Sequence, residues 1–292
     1  MKTITMVLLA IMVCASPVLG DEVDDGLPKE ATAQTRTSTR QMIQSGVDKD
    51  EAIRMTRLMV QNQFREEEVL RAHQTVMNAR KGGLPVGPVI DKAFEGMTKR
   101  AEAGNIVRAM EAVHTRYASA EKFANRITEE RSSREQIQNA IAHSFAAGLR
   151  ERDVQVMTEA LQQRARTETM TASKLGPLAV ETFTTARDMA RSGVSPGVAT
   201  EVLSQAIQHR YSTAEMQMMR KSFSNQSRQA SPNTLAEKYA QGIREGTTAE
   251  GLGAYGMGGG SGGYGGSGSG GSGGHGGGSD GGGGGSGGGG HR

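Results

Sequence analysis

The sequence predicts an all-α chain: antiparallel helical hairpins in a repeat-like array, followed by a disordered Gly/Ser tail. Three observations predict it. Residues 39–250 are rich in alanine, methionine, glutamine, arginine and glutamate and poor in β-branched and aromatic strand formers; tryptophan is absent. Apolar residues there recur three and four apart, as in Ile53, Met55, Leu58, Met59 and Phe64. Glycines followed by an apolar residue return about every 45–52 residues, the size of a helical-hairpin pair.

The chain opens with a different signature. Residues 1–20 combine Lys2, an apolar run from Ile4 to Ala15, Pro17, and Val18-Leu19-Gly20 ahead of acidic Asp21 and Glu22. This order is that of a cleavable secretory signal, and the run falls short of the roughly 20 apolar residues of a permanent span. Cleavage between Gly20 and Asp21 is expected. It leaves no transmembrane helix and removes Cys14, the single cysteine, so no disulfide is expected. Acylation of Cys14 would call for a small residue before it, and Val13 stands there. A periplasmic or secreted location follows from this reading.

Residues 21–38 lack an apolar period and read as a flexible acidic and polar leader. The helical-repeat domain, 39–250, divides into units near 39–81, 82–127, 132–172 and 173–223, with a partial unit at 235–250. Its turns are read at Gly46-Val47, Gly96-Met97, Gly148-Leu149, Gly193-Val194 and, truncated, Gly242-Ile243, since glycine suits the left-handed position that closes a helix. A longer period of about 90–95 residues relates Ala112–Glu121 to Ala206–Glu215 and Gly87-Pro88 to Gly176-Pro177. Units 82–127 and 173–223 therefore read as duplicates. The polar segment 224–234, with Pro232, reads as a loop, and Leu235 to Arg244 as a last short helix. The tail, 251–292, is nearly all glycine and serine. It cannot bury enough surface to offset its ordering entropy, and as a coil would span about 35 Å.

The stretch from Gly83 to Lys99, with Leu84-Pro85-Val86-Gly87-Pro88 and Lys92-Ala93-Phe94-Glu95-Gly96, resembles an uncharacterised family of exported bacterial helical proteins carrying Leu-Pro-x-x-Pro and Lys-x-x-Glu-Gly motifs. Ile106–Val113 and Arg116-Tyr117 extend the likeness; Arg100–Asn105 stands where that family has a proline turn. The resemblance implies helical hairpins and a bacterial envelope location. It supplies no activity.

Chemistry-bearing motifs are sparse. No histidine pair has the spacing that puts two ligands on one helix turn, and no cysteine ligand survives cleavage. Met216, Met218 and Met219 could offer thioethers to Cu(I), though helix methionines usually fill core gaps. No serine sits in a strand-to-helix elbow. No catalytic residue, metal or cofactor is assigned. The net charge of +3 is spread without a Lys/Arg run, so no specific nucleic-acid binding is expected. The surface candidates are Arg116, Tyr117, Arg210 and Tyr211, residue types enriched at binding hot spots, although Tyr can also close an apolar stripe while Arg snorkels. The leading expectation is a non-enzymatic interaction or scaffold module with an unknown protein or envelope partner. The alternative is a periplasmic enzyme or accessory hydrolase with a site between the duplicated units, gathering His114, His209 and carboxylates.

Overall fold

The computed structural model describes residues 18–254, with side chains from Glu22 onward. The apolar run of the expected signal segment and the tail beyond Ala254 lie outside the described residues. Thirteen helices are described: α1 (Val18–Gly26), α2 (Ala33–Gln44), α3 (Lys49–Gln61), α4 (Glu66–Lys81), α5 (Gly87–Thr98), α6 (Ala103–Ile127), α7 (Arg131–Ala146), α8 (Glu151–Thr167), α9 (Ala172–Arg191), α10 (Pro196–Gln208), α11 (Thr213–Gln226), α12 (Pro232–Arg244) and α13 (Ala249–Ala254). No strand occurs among the described residues.

The helices stack in two layers. In one layer α2, α4, α6, α8, α10 and α12 each pack on the next; in the other α7, α9, α11 and α13 do, and α1, α3 and α5 likewise. Each helix buries one stripe and needs neighbours to cover it. α6 shows the stripe plainly, burying Ile106, Val107, Met110, Val113, Tyr117, Ala120, Phe123, Ala124 and Ile127. Methionines fill irregular gaps between helices: Met42, Met55, Met59, Met110 and Met157 are fully buried.

Helix ends share one device. Among the described residues nine have positive φ, and each follows a helix: Gly46, Gln63, Gly83, Arg100, Gly148, Thr169, Gly193, Arg210 and Gly246. In every case the next residue donates its backbone N–H back into the last turn, as from Val47 to Met42 O (3.2 Å) and from Tyr211 to Ala206 O (2.9 Å). This is the Schellman closure, and the residue after the turn is often apolar and buried: Val47, Leu84, Leu149, Val194 and Tyr211. Glycine thus closes helices at 46, 148 and 193 as expected, but not at 96 or 242. Gly96 lies within α5 and Gly242 within α12. The turn after α5 uses Arg100, at φ 53°, and the turn after α12 uses Gly246.

Same-layer neighbours are also tied by side chains that reach the carbonyl ends of adjacent helices. Arg57 of α3 donates to Gly26 O (2.7 Å), Gln162 of α8 to Arg126 O (2.6 Å), and Arg164 of α8 to Arg210 O (3.0 Å) and Tyr211 O (2.6 Å). These bonds supply partners for terminal carbonyls that a helix cannot pair internally.

Four further expectations are corrected. The 21–38 leader is helical and packed rather than flexible. Thr32 caps α2 by accepting from Thr35 N (3.1 Å), Arg36 donates to Pro28 O (2.7 Å), and Val23, Leu27 and Ala31 pack on Ile53. Of the expected 224–234 loop, α11 takes residues up to Gln226 and α12 begins at Pro232, which starts a helix without losing a needed N–H. The region after Arg244 adds α13, which extends into the expected tail; it buries Leu252, and Gln226 donates to Leu252 O (3.1 Å) and Gly253 O (2.8 Å). Finally, the apparent duplicates differ in structure. Arg116-Tyr117 lies in mid-α6, whereas Arg210-Tyr211 forms the turn between α10 and α11. Pro88 opens α5, whereas Pro177 lies inside α9.

Candidate binding surface

The four sequence-selected residues separate into two environments. Tyr117 and Tyr211 are 5% and 4% exposed, so both belong to the core. Burial pushes both phenols up, that of Tyr211 to about 12. The Tyr211 hydroxyl donates to Thr247 O and so ties the α10–α11 turn to the α12–α13 turn. Arg210 is exposed at the left-handed turn position and pairs with Glu168 at 3.4 Å. Arg116 is half-buried on α6, and α8 stands between α6 and α10 in the stack. Gly20 and Asp21 fall within α1; in the same helix Glu22 pairs with Lys49 at 2.7 Å and Val23 is fully buried.

Arg116 has other company. α7 packs on both α6 and α9, and α9 packs on α11. Toward the C-terminal ends of α7 and α9 this brings together Arg116, His143, Arg187 and Arg191. His143 is exposed at the surface. Its imidazole is held below the ordinary value, first by partial burial, then by the charges of Arg187, Arg191 and Arg116. Arg187 and Arg191 stand one helical turn apart on the rim of α9, beside the buried stripe of Phe183, Ala186 and Met189.

An open groove of about 480 Å³ continues from there between α9 and α11, lined by Asp188, Arg191, Ser192, Arg220, Lys221 and Ser224 among others. Its carboxylates are engaged. Arg220 bridges Glu181 (2.6 Å) and Asp188 (3.2 Å), and Arg187 meets Asp188 at 2.8 Å. Among the described residues, Arg116, Arg191 and Lys221 make no ion pair. The surface is thus cationic, with donors unspent, and draws on α6 of one layer and α7, α9 and α11 of the other. Sequence reading found only Arg116 of this set, because the rest come from helices distant along the chain.

The described histidines do not converge. His114 lies in a shallow groove between α4 and α6 of about 230 Å³, with Arg71 and Glu111. His209 is the exposed cap residue of α10. His73 is fully buried, with Nε2 2.9 Å from Thr56 Oγ1 and Nδ1 3.0 Å from Ser38 Oγ. Burial lowers its pKa to about 4. Met216 and Met219 are core residues while Met218 is exposed, so the three thioethers do not share a site. Among the described residues no three His, Cys, Asp or Glu side chains gather as metal ligands, and no helix is long and apolar enough to cross a membrane.

Fold and surface together define a two-layer helical array with a cationic surface on α6, α7, α9 and α11. No family model, curated relative or solved structure matches the chain.

Proposed function

We propose that this chain is a non-enzymatic interaction module, exported to the periplasm or beyond, that binds a protein or envelope partner through its helical array. The observation that carries the reading is the open groove between α9 and α11, lined by Arg191 and Lys221, with Arg116 and His143 on α6 and α7 in the same run of packed helices. These unpaired donors on packed helices suit recognition of a complementary surface. Export is supported by the order of charge, apolar run and small residues in 1–20. The likeness of Gly83–Lys99 to exported helical proteins points the same way.

Two measurements test it. Mass spectrometry of the protein from envelope fractions should show an N-terminus at Asp21; an intact Met1 would end the export reading. A partner purified with the wild-type chain should be lost with the charge-reversing double variant R116E/R191E while the helical circular dichroism is kept. Retention of that partner by the double variant would count against this surface.

A further inference from the structure

His73 stands at the seam between the first three helices and the rest of the array. Helices α1, α2 and α3 hold together by a small core of their own, Val23, Leu27, Ala31 and Ile53, and by ion pairs from Asp24 to Arg40 (2.7 Å) and from Glu22 to Lys49 (2.7 Å). They meet the next helices through α2 on α4 and through α3 on α4 and α5. The seam is poor in apolar side chains on one side: of the four residues that α2 buries, Thr35, Ser38, Thr39 and Met42, three carry hydroxyls. His73 of α4 reaches both neighbours, with Nδ1 3.0 Å from Ser38 Oγ of α2 and Nε2 2.9 Å from Thr56 Oγ1 of α3. Thr56 spends its own proton on Ala52 O (2.9 Å). Its oxygen therefore accepts from Nε2–H, and Nδ1 accepts from the Ser38 hydroxyl.

The neutral ring is matched and the charged ring is not. A proton added at Nδ1 meets the one that Ser38 points at it, and among the described residues no carboxylate acts on the ring to balance the charge. The ionisable groups of the surrounding helices are engaged elsewhere. Arg40 of α2 pairs with Asp24, Arg57 of α3 donates to Gly26 O, Glu68 of α4 is held by Arg65, and Arg71 of α4 by Glu111 of α6. Asp91 of α5 acts on Glu51 of α3 and Tyr117 of α6. Burial alone sets the low pKa of His73, about 4.

We propose that His73 is an acid-sensitive latch: when it takes up a proton, α1, α2 and α3 leave α4 and α5 as one unit while the later helices stay packed. Released into water, the imidazole charges at its ordinary value near 6.5. The closed form is therefore fully favoured above that value and loses ground as the pH falls toward about 4. While the latch is shut, Met55 and Met59 of α3 stay in the main core. Opening uncovers Val69 and Val76, which lie one turn to either side of His73 on α4. The outcome is an apolar surface presented only in acid. The latch is independent of the interaction-module reading.

The test is amide hydrogen exchange of the full chain, read by mass spectrometry at about pH 7 and about pH 5 and corrected for the intrinsic rate. Protection in α1–α3 should fall by about 20-fold, the ratio set by an imidazole that titrates near 6.5 when open and about 4 when closed. Protection in α9 and α10 should not change. H73Q still donates to Thr56 and accepts from Ser38 but does not titrate, so its α1–α3 protection should be equal at the two pH values. NMR of the wild-type protein down to about pH 4 gives a second readout that needs no variant. The native amide signals of α2 should disappear together with protonation of the His73 ring. The proposal is overturned if α1–α3 keep their protection in acid, or if all helices lose it together. Loss of protection in H73Q equal to that of wild type also overturns it and makes the ion pairs of Asp24 and Glu22 the sensor. So does a His73 ring that protonates while the α2 signals persist.

Discussion

Gly96 and Ile106 set the approach of α5 to α6: a Cβ added at position 96 would lie 2.6 Å from Ile106 Cγ1. No side chain fits at that distance without movement. Replacing a helix-interior glycine by alanine ordinarily stabilises by about 0.5–1 kcal/mol. Here overpacking of this kind costs about 1–3 kcal/mol and should reverse the sign. Gly96→Ala should therefore lower the urea midpoint, and pairing it with Ile106→Val should restore part of the loss. A stabilised single variant would show that the two helices are further apart.

The two Arg-Tyr pairs should respond differently to loss of the phenol oxygen. The Tyr211 hydroxyl donates to Thr247 O, whereas that of Tyr117 has no hydrogen-bond partner among the described residues. Tyr211→Phe should cost about 1 kcal/mol, and Tyr117→Phe should be nearly neutral. Equal losses in thermal unfolding would mean that the pairs are equivalent after all.

His73 makes stability depend on pH. Its folded pKa of about 4 lies below the unfolded value near 6.5, so the unfolded chain binds the proton more readily between them. Stability is then full above pH 6.5 and falls as the pH drops toward 4, by about 3 kcal/mol for this one group. His143, also lowered, adds a smaller slope of the same sign. Urea unfolding across that window reads the slope. His73→Leu should flatten it whatever its effect at neutral pH, and an unchanged slope would assign the dependence to other groups.

The bridge from Arg220 to Glu181 holds a carboxylate whose side chain is only 8% exposed. Arg220→Ala leaves it uncompensated and should destabilise by about 2–3 kcal/mol, less than for a fully buried pair because the guanidinium is partly solvated. The double variant R220M/E181L should recover most of that loss. A double variant as unstable as the single one would show that packing, not charge, is what Arg220 provides.

Much of the fold is legible in the sequence where burial is apolar. The stripes of α3 and α6 and the glycine turns at 46, 148 and 193 are read directly. α2 is not, because its buried face is Thr35, Ser38, Thr39 and Met42. Its hydroxyls look polar in sequence, yet they are paired: Thr39 donates to Thr35 O at 2.9 Å, and Ser38 meets His73. Four turns escape notice because Gln63, Arg100, Thr169 and Arg210 occupy the left-handed position without being glycine. The same substitution of role makes the second Arg-Tyr pair a turn, although its neighbours echo a helix. Of the binding surface, Arg116 is legible beside Tyr117. Its company, His143 and Arg191, comes from helices whose placement depends on the stacking order, which no local spacing encodes.

The ties between same-layer helices join residues close along the chain: Arg57 to Gly26 spans 31 positions, Gln162 to Arg126 spans 36 and Arg164 to Tyr211 spans 47. Nothing described must wait for a partner from the far end. Each helix as it emerges finds its support already present or arriving next, so the array can assemble in the order in which it is synthesised or threaded through a channel. A chain built this way leaves at any pause only the faces that the next two or three helices will cover, and shortening it from one end removes the last rungs without dismantling the ladder.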